Sequence, residues 1–239
     1  MKNFVLFFLF SFTINLFAQE DTLSFDNFYL TLQGNFLKVF NADNSVIYQK
    51  KFFNPSAYTS DLNDDNSDEY LVLDSALNNN IPWYTLYIYN TQNNFSFIDS
   101  IISGSTEPYE TTSGDLGGTI IVAGNPDFEK LNMNTDNFFI PINCWHYEDS
   151  AIFLVNDEVY NAFMNENESI IDYIDDYLID NSKGCKTSIA LKAPIAAAYV
   201  NYINAGEKSV ASQFLKNYYL CNDIDQFKQK LNELIKGNE

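Results

Sequence analysis

A short acidic loop carries the clearest chemistry in this chain of 239 residues. Oxygen-bearing side chains stand at its first, third and fifth positions, as Asp61, Asn63 and Asp65, and a carboxylate, Glu69, stands at its ninth. A hard cation such as Ca²⁺ takes about six to eight oxygen ligands, and alternate positions of a tight loop aim side chains inward. With the backbone carbonyl of Ser67 as a further ligand, the loop predicts a structural calcium site.

The charge of this loop favours the same prediction. Five of the nine residues from 61 to 69 are acidic, and without a cation their carboxylates would repel one another. The alternative is a solvated acidic turn between two strands, which is common on protein surfaces. The apolar strand predicted for residues 70–73, together with the ligand spacing, favours calcium.

Residues 61–73 resemble the calcium loop of FG-GAP/VCBS-type repeats, the blades of integrin-α-like propellers. The resemblance implies Asp61, Asn63, Asp65 and Glu69 as side-chain ligands and Ser67 as a backbone ligand. Two positions depart from the family pattern, because Asn66 replaces a glycine and Glu69 replaces an aspartate. An EF-hand is a poorer match, since a strand follows the loop and Val72 stands where that motif has its glutamate.

A degenerate second copy of the loop starts at Asp115, 54 residues after Asp61, and lacks the ligands. This period fits a four-stranded propeller blade, and the β-rich region has room for two or three such units. A closed propeller takes at least about four blades. We therefore expect an open meander or a small sandwich.

No constellation of residues in the sequence predicts catalysis. His146 is the single histidine, and on a strand it would share one face with Cys144 and Glu148, which could seed a zinc site that still lacks a fourth ligand. No nucleophile elbow and no phosphate-binding glycine-rich loop occurs. We expect a protein that is not an enzyme, although carboxylate pairs for a hydrolase are always available in so acidic a chain.

The three cysteines predict one disulfide and one spare thiol. Cys185 precedes a predicted helix that ends near Ala205, and Cys221 follows a helix that starts near Glu207. A tight turn at Gly206 makes these helices antiparallel and brings their far ends together. We therefore expect Cys185 and Cys221 to pair and Cys144 to stay free.

Residues 1–18 have the pattern of a cleavable secretory signal. Lys2 provides the positive start, residues 4–10 are apolar, and Ala18 is a small residue at the expected cleavage site. The mature chain would begin near Gln19 and reside in the periplasm or the medium, with no membrane insertion after cleavage. An uncleaved signal anchor is the alternative.

Charge restricts the partners. The formal net charge is −19, and every basic residue is a lysine. Nucleic-acid and phosphate recognition relies on arginine forks and on positive potential, so nucleic acid and anionic membrane surfaces are poor partners for this chain. A cation or a basic protein is the expected partner, and the oligomeric state is left open.

The predicted fold class is α+β. Short aromatic and β-branched runs separated by turn residues predict an antiparallel β meander or sandwich, propeller-blade-like, over residues 19–140. Apolar residues at helical spacing predict a helical region over 141–239, with Ile170, Ile174 and Leu178 on one face of a helix and Asp172 and Asp176 opposite. Whether the two regions pack as one domain is left open.

Three functions are compatible with these features. The first is an exported, non-enzymatic binding or scaffolding module with a structural calcium loop. The second is a periplasmic inhibitor or immunity protein that neutralises a toxin, since a small acidic chain suits a basic cleft. The third is a hydrolase. We favour the first.

Overall fold

The computed structural model describes residues 21–92, 94–113, 116–131 and 139–236. The predicted signal at residues 1–18 and the Asp115 position lie outside the described residues. Twelve strands and five α-helices follow one another in that order along the described chain. The predicted α+β class is confirmed.

The strands form three antiparallel sheets of four strands each, with order β1-β2-β3-β4, β5-β6-β7-β8 and β12-β11-β10-β9. The first sheet contains β1 (Asp21–Ser24), β2 (Phe28–Gln33), β3 (Phe36–Asn41) and β4 (Val46–Lys51). The second contains β5 (Pro55–Ser60), β6 (Glu69–Asn78), β7 (Ile81–Asn90) and β8 (Ser96–Gly104). The third contains β9 (Tyr109–Thr112), β10 (Thr119–Gly124), β11 (Ile142–Glu148) and β12 (Ala151–Leu154).

The turn between β3 and β4 shows how the sequence builds these hairpins. The Asn41 side chain accepts hydrogen bonds from the backbone N–H groups of Asp43, at 3.1 Å, and Ser45, at 2.8 Å. Asn44 adopts a φ of 61°, in the left-handed region that asparagine tolerates better than most residues. The alternating runs at residues 36–40 and 45–51, around the turn-forming residues 41–44, predict this hairpin, and the pairing of β3 with β4 confirms it.

The sheets stack through their apolar faces because successive side chains of a strand point to opposite sides. Val72 and Tyr89 of the second sheet belong to one buried cluster with residues of the first sheet. Leu71 and Ile88 belong to another, with Ile121 of the third sheet. The second sheet is thus buried on both faces.

The helices cover the other face of the third sheet. Cys144 and Val122 on that face cluster with Val159 and Phe163, at the start of the helical part. The five helices are α1 (Tyr160–Asp180), α2 (Cys185–Ala190), α3 (Lys192–Asn204), α4 (Lys208–Tyr218) and α5 (Ile224–Lys236). Sheet residues extend past residue 140 as far as Leu154, and the first α-helix begins at Tyr160.

Helix α3 lies at the centre of the helical part, and all its residues from Ala193 to Asn201 are buried. Helix α1 packs against it with Ile170 and Ile174, while Asp172 and Asp176 are exposed, as its apolar spacing predicts. No described helix has the length and apolar character needed to cross a membrane.

The predicted disulfide between Cys185 and Cys221 is present, with the two Cα atoms 4.5 Å apart. Helices α3 and α4 meet at Gly206, whose φ of 80° suits glycine. The sequence predicts one long helix before this turn. The structure instead divides it into α2 and α3 at Leu191, where the backbone leaves helical geometry.

Candidate calcium-binding loop

The loop of residues 61–68 connects β5 to β6 and lies against the third sheet. Thr119, the first residue of β10, donates its backbone N–H to the Leu62 carbonyl at 3.2 Å and its hydroxyl to the Asp61 carbonyl at 3.4 Å. A Cβ at Gly118 would come within 3.2 Å of the Leu62 carbonyl oxygen, and Gly118 has a φ of 72°. Glycine is therefore needed where the loop touches the third sheet.

The Asp61 carboxylate holds the turn of the loop together. Its two oxygens accept the backbone N–H groups of Asp65, at 3.1 Å, and Asn66, at 2.8 Å. Asp64 and Asn66 adopt φ values of 59° and 67°. Asn66 thus takes the left-handed conformation for which glycine is otherwise preferred, so this departure from the family pattern leaves the turn intact.

The Asp65 carboxylate accepts hydrogen bonds from three directions. The donors are the Ser67 backbone N–H at 2.8 Å, the Asn63 side-chain amide at 3.0 Å and the Gln92 side-chain amide at 2.6 Å. Burial acts to raise the pKa of Asp65, but the hydrogen bonds from Asn63, Gln92 and Ser67 outweigh it and hold the pKa below its ordinary value.

The Glu69 carboxylate is completely buried at the start of β6. Its Oε2 accepts the Leu62 backbone N–H at 3.1 Å, whereas its buried Oε1 has no hydrogen-bond partner among the described residues. The pKa of Glu69 is raised to about 7, mainly by burial, which the hydrogen bond from Leu62 opposes and the charges of Asp65 and Asp61 reinforce. Burying the ionised form of this carboxylate costs free energy, because only one of its two oxygens has a hydrogen-bond partner in the described part of the chain.

The structure thus brings Asp61, Asn63 and Asp65 into one hydrogen-bonded turn with Ser67, and places Glu69 beneath it. Throughout the parts of the chain that the structure describes, no three His, Cys, Asp or Glu side chains form a group that could hold a metal ion.

Residues outside the predicted ligand set also contact the loop. Gln92 and Thr91 lie after β7, and their side chains donate to the Asp65 carboxylate and the Asp68 carbonyl. The pKa of Tyr147 on β11 is raised, mainly by the burial of its side chain and then by the nearby charges of Glu69 and Asp65. Sequence spacing identifies only the polar character of residues 90–94, because these contacts depend on how the strands pair.

Cys144, His146 and Glu148 form no metal group. Cys144 is buried against Val159 and Phe163, whereas Glu148 is exposed at the end of β11. His146 is partly buried, and its Nδ1 has no hydrogen-bond partner among the described residues. The zinc alternative therefore receives no support.

The free thiol of Cys144 is expected to resist alkylation in the folded protein. Burial, followed by the nearby charge of Glu166, raises the pKa of Cys144 to about 12. Because the thiolate is the reactive form, iodoacetamide at about pH 8 should react about 10³-fold more slowly than with the unfolded chain. Mass spectrometry of native and urea-unfolded samples measures both rates, and equal rates would contradict the expectation.

Comparison with known proteins adds no family to this geometry. The chain matches no protein-family model, no curated protein and no solved structure.

Proposed function

We propose that the chain is an exported, non-enzymatic binding or scaffolding module that acts in the periplasm or the medium. Its loop of residues 61–69 binds a structural Ca²⁺ ion, which fixes the second sheet against the third. The observation that carries this proposal is the buried Glu69 carboxylate, whose Oε1 has no described partner and which lies beside Asp61 and Asp65.

A cation would relieve the charge at this position. An ionised carboxylate is costly to bury without a partner, and two further carboxylates nearby increase the cost. The oxygens of Asp61 and Asp65 that accept backbone N–H groups each retain a second lone pair for a cation. Binding would draw Asp61, Asn63, Asp65 and Glu69 together with the Ser67 carbonyl.

The position of the loop supports a structural role for the ion. The backbone carbonyls of Asp61 and Leu62 already accept hydrogen bonds from Thr119 of the third sheet. Ordering the loop around a cation would therefore also order the contact between two sheets. The surfaces that these sheets and the helices present would then be held in one geometry, as a binding module requires.

Calcium at about 10 mM is expected to stabilise the protein by roughly 1–3 kcal/mol, given an affinity of about 10⁻⁴ to 10⁻³ M. Mg²⁺ should act much less, because it demands a stricter octahedral geometry. Asp65→Ala removes a predicted ligand from an exposed position and should abolish the response. Differential scanning calorimetry with calcium, magnesium and a chelator measures each shift.

The matched control is Asp68→Ala, which removes an exposed acidic side chain from the same loop without removing a predicted ligand. This variant should respond to calcium like the parent. An Asp65→Ala variant that responds as strongly as the parent would show that the loop is not the site, and a parent without any response would end the calcium proposal.

A second candidate, a toxin inhibitor, is favoured by one surface. Helix α1 exposes five carboxylates, and its last turn carries no basic residue. The five exposed carboxylates are those of Glu168, Asp172, Asp175, Asp176 and Asp180. A pull-down from the native envelope, with and without chelator, separates the two functions. Calcium-dependent capture supports the module, and calcium-independent capture of a basic toxin whose activity is lost supports the inhibitor.

A further inference from the structure

A cavity of about 340 Å³ lies between the third sheet and helices α3, α4 and α5. Its size is within the range of small-ligand sites. Four asparagines form its polar wall: Asn125, Asn143, Asn156 and Asn204. Its aliphatic wall is formed by Leu154, Val200, Ile203 and Ile235, and the charged residues of its described lining are Asp157 and Lys208.

The asparagines cap a strand edge at this point. Strand β12 ends at Leu154, opposite Trp145, so residues 142–144 of β11 have no strand on that side. Amide side chains take the place of the missing strand. Asn201 accepts the Ile142 N–H at 3.0 Å, Asn204 donates to the Ile142 carbonyl at 3.3 Å, and Asn156 accepts the Cys144 N–H at 2.8 Å.

On this wall, Asn143 has a donor and Asn204 an acceptor that no contact of the described residues uses. The Asn143 Oδ1 accepts from the Asn156 amide at 3.1 Å, and the Asn204 Nδ2 donates to β11. The Asn143 Nδ2 and the Asn204 Oδ1 have no hydrogen-bond partner among the described residues. A neutral donor and a neutral acceptor beside an aliphatic wall match a peptide group and an apolar side chain.

Other ligand classes fit this cavity less well. No aromatic ring is among its described lining residues, whereas sugar sites commonly use such rings as stacking platforms. The charged residues of the described lining, one lysine and one aspartate, have opposite signs and do not favour a strongly charged ligand. We propose that this cavity binds a short extended peptide segment of a partner protein, with the peptide backbone on Asn143 and Asn204 and an aliphatic side chain against Ile203 and Ile235.

This inference names the partner chemistry of the proposed binding module, but it does not depend on the calcium ion. The cavity lies at the Gly124 end of β10, where Asn125 follows the strand, and the acidic loop contacts its Thr119 end. Peptide binding and calcium binding can therefore succeed or fail separately.

The test is an NMR titration of the ¹⁵N-labelled protein with N-acetyl-Ala-Leu-Ala-amide, in calcium and in chelator. We expect saturable shifts of the Asn143 and Asn204 side-chain amides in both buffers. Asn143→Asp removes the donor while keeping the acceptor for Asn156, and should weaken binding about tenfold. Asn165→Asp, the same change on an exposed position of α1, should bind like the parent.

A second variant guards against misfolding. Ile235→Trp fills the cavity from α5 and should abolish the peptide-induced shifts, while its other resonances remain dispersed as in the folded parent. The proposal is overturned if the peptide causes no saturable shifts in the parent, if maltose shifts the same amides to the same extent, or if both cavity variants bind like the parent.

Discussion

Replacing Cys185 and Cys221 together by serine is expected to lower the free energy of unfolding by about 4 kcal/mol. The bond closes a sequence separation of 36 residues, and opening it returns that loop entropy to the unfolded chain. Urea unfolding followed by circular dichroism measures the change in the double variant and in the parent treated with reductant. Both samples should lose similar stability.

The folded state should survive this loss because the same helix ends are also joined by hydrogen bonds. The Ser188 hydroxyl donates to the Tyr218 carbonyl and accepts the Leu220 backbone N–H, both at 2.8 Å. Cys144→Ala is the control, since it removes a thiol outside the disulfide. A loss below about 1 kcal/mol in the double variant, or a disulfide-linked Cys144 peptide in non-reducing maps, would contradict the assignment.

The disulfide was predictable because it depends on local information. Gly206 marks the turn, the apolar spacing marks the two helices, and their antiparallel course brings Cys185 and Cys221 together. Apolar spacing alone does not predict the break at Leu191, although Pro194 in the first turn of α3 is a local signal for a helix start. The Ser188 bonds to Tyr218 and Leu220 that accompany this break belong to tertiary packing.

The sheets show the same division between local and long-range information. Alternating apolar residues and the Asn41 turn predict individual hairpins such as β3–β4. Alternation within residues 70–73 cannot show that Val72 faces the first sheet and Leu71 the third. Which side chain faces which sheet depends on how the three sheets stack. Strand β12, in addition, has too few residues to give a clear periodic signal in the sequence.

The candidate loop was predictable in its residues but not in its electrostatics. Spacing alone identifies Asp61, Asn63 and Asp65, and the tolerance of asparagine for positive φ explains Asn66. The complete burial of Glu69 follows from its place at the start of β6, beneath the loop and beside the third sheet. The raised pKa of this carboxylate becomes apparent only when Tyr147 and Leu62 are seen to pack around it.

Glu69 is expected to make the stability of the calcium-free protein fall as the pH rises from about 4.5 to about 7. Its folded pKa, about 7, lies above the ordinary value of 4.5, so the unfolded chain loses this proton first. Over that interval the folded state binds more protons, and stability falls by up to about 3 kcal/mol. Urea unfolding in chelator at several pH values measures this slope.

Glu69→Gln isolates this contribution from other titrating groups such as Glu166, whose pKa burial also raises. The glutamine keeps an oxygen for the Leu62 N–H but carries no charge beside Asp61 and Asp65. Without calcium this variant should be more stable than the parent above about pH 7, with a smaller pH slope. Glu148→Gln, at an exposed position of β11, should keep the slope of the parent.

Bound calcium should offset the loss of stability that occurs when Glu69 of the parent loses its proton. Its stabilising effect is therefore expected to increase with pH over the interval in which stability falls in chelator, because cation and proton compete for the same carboxylate. Glu69→Gln should lose both the calcium effect and its pH dependence. If this variant keeps the full pH slope of the parent, the buried carboxylate is not the titrating group; if it keeps the calcium response, Glu69 is not a ligand.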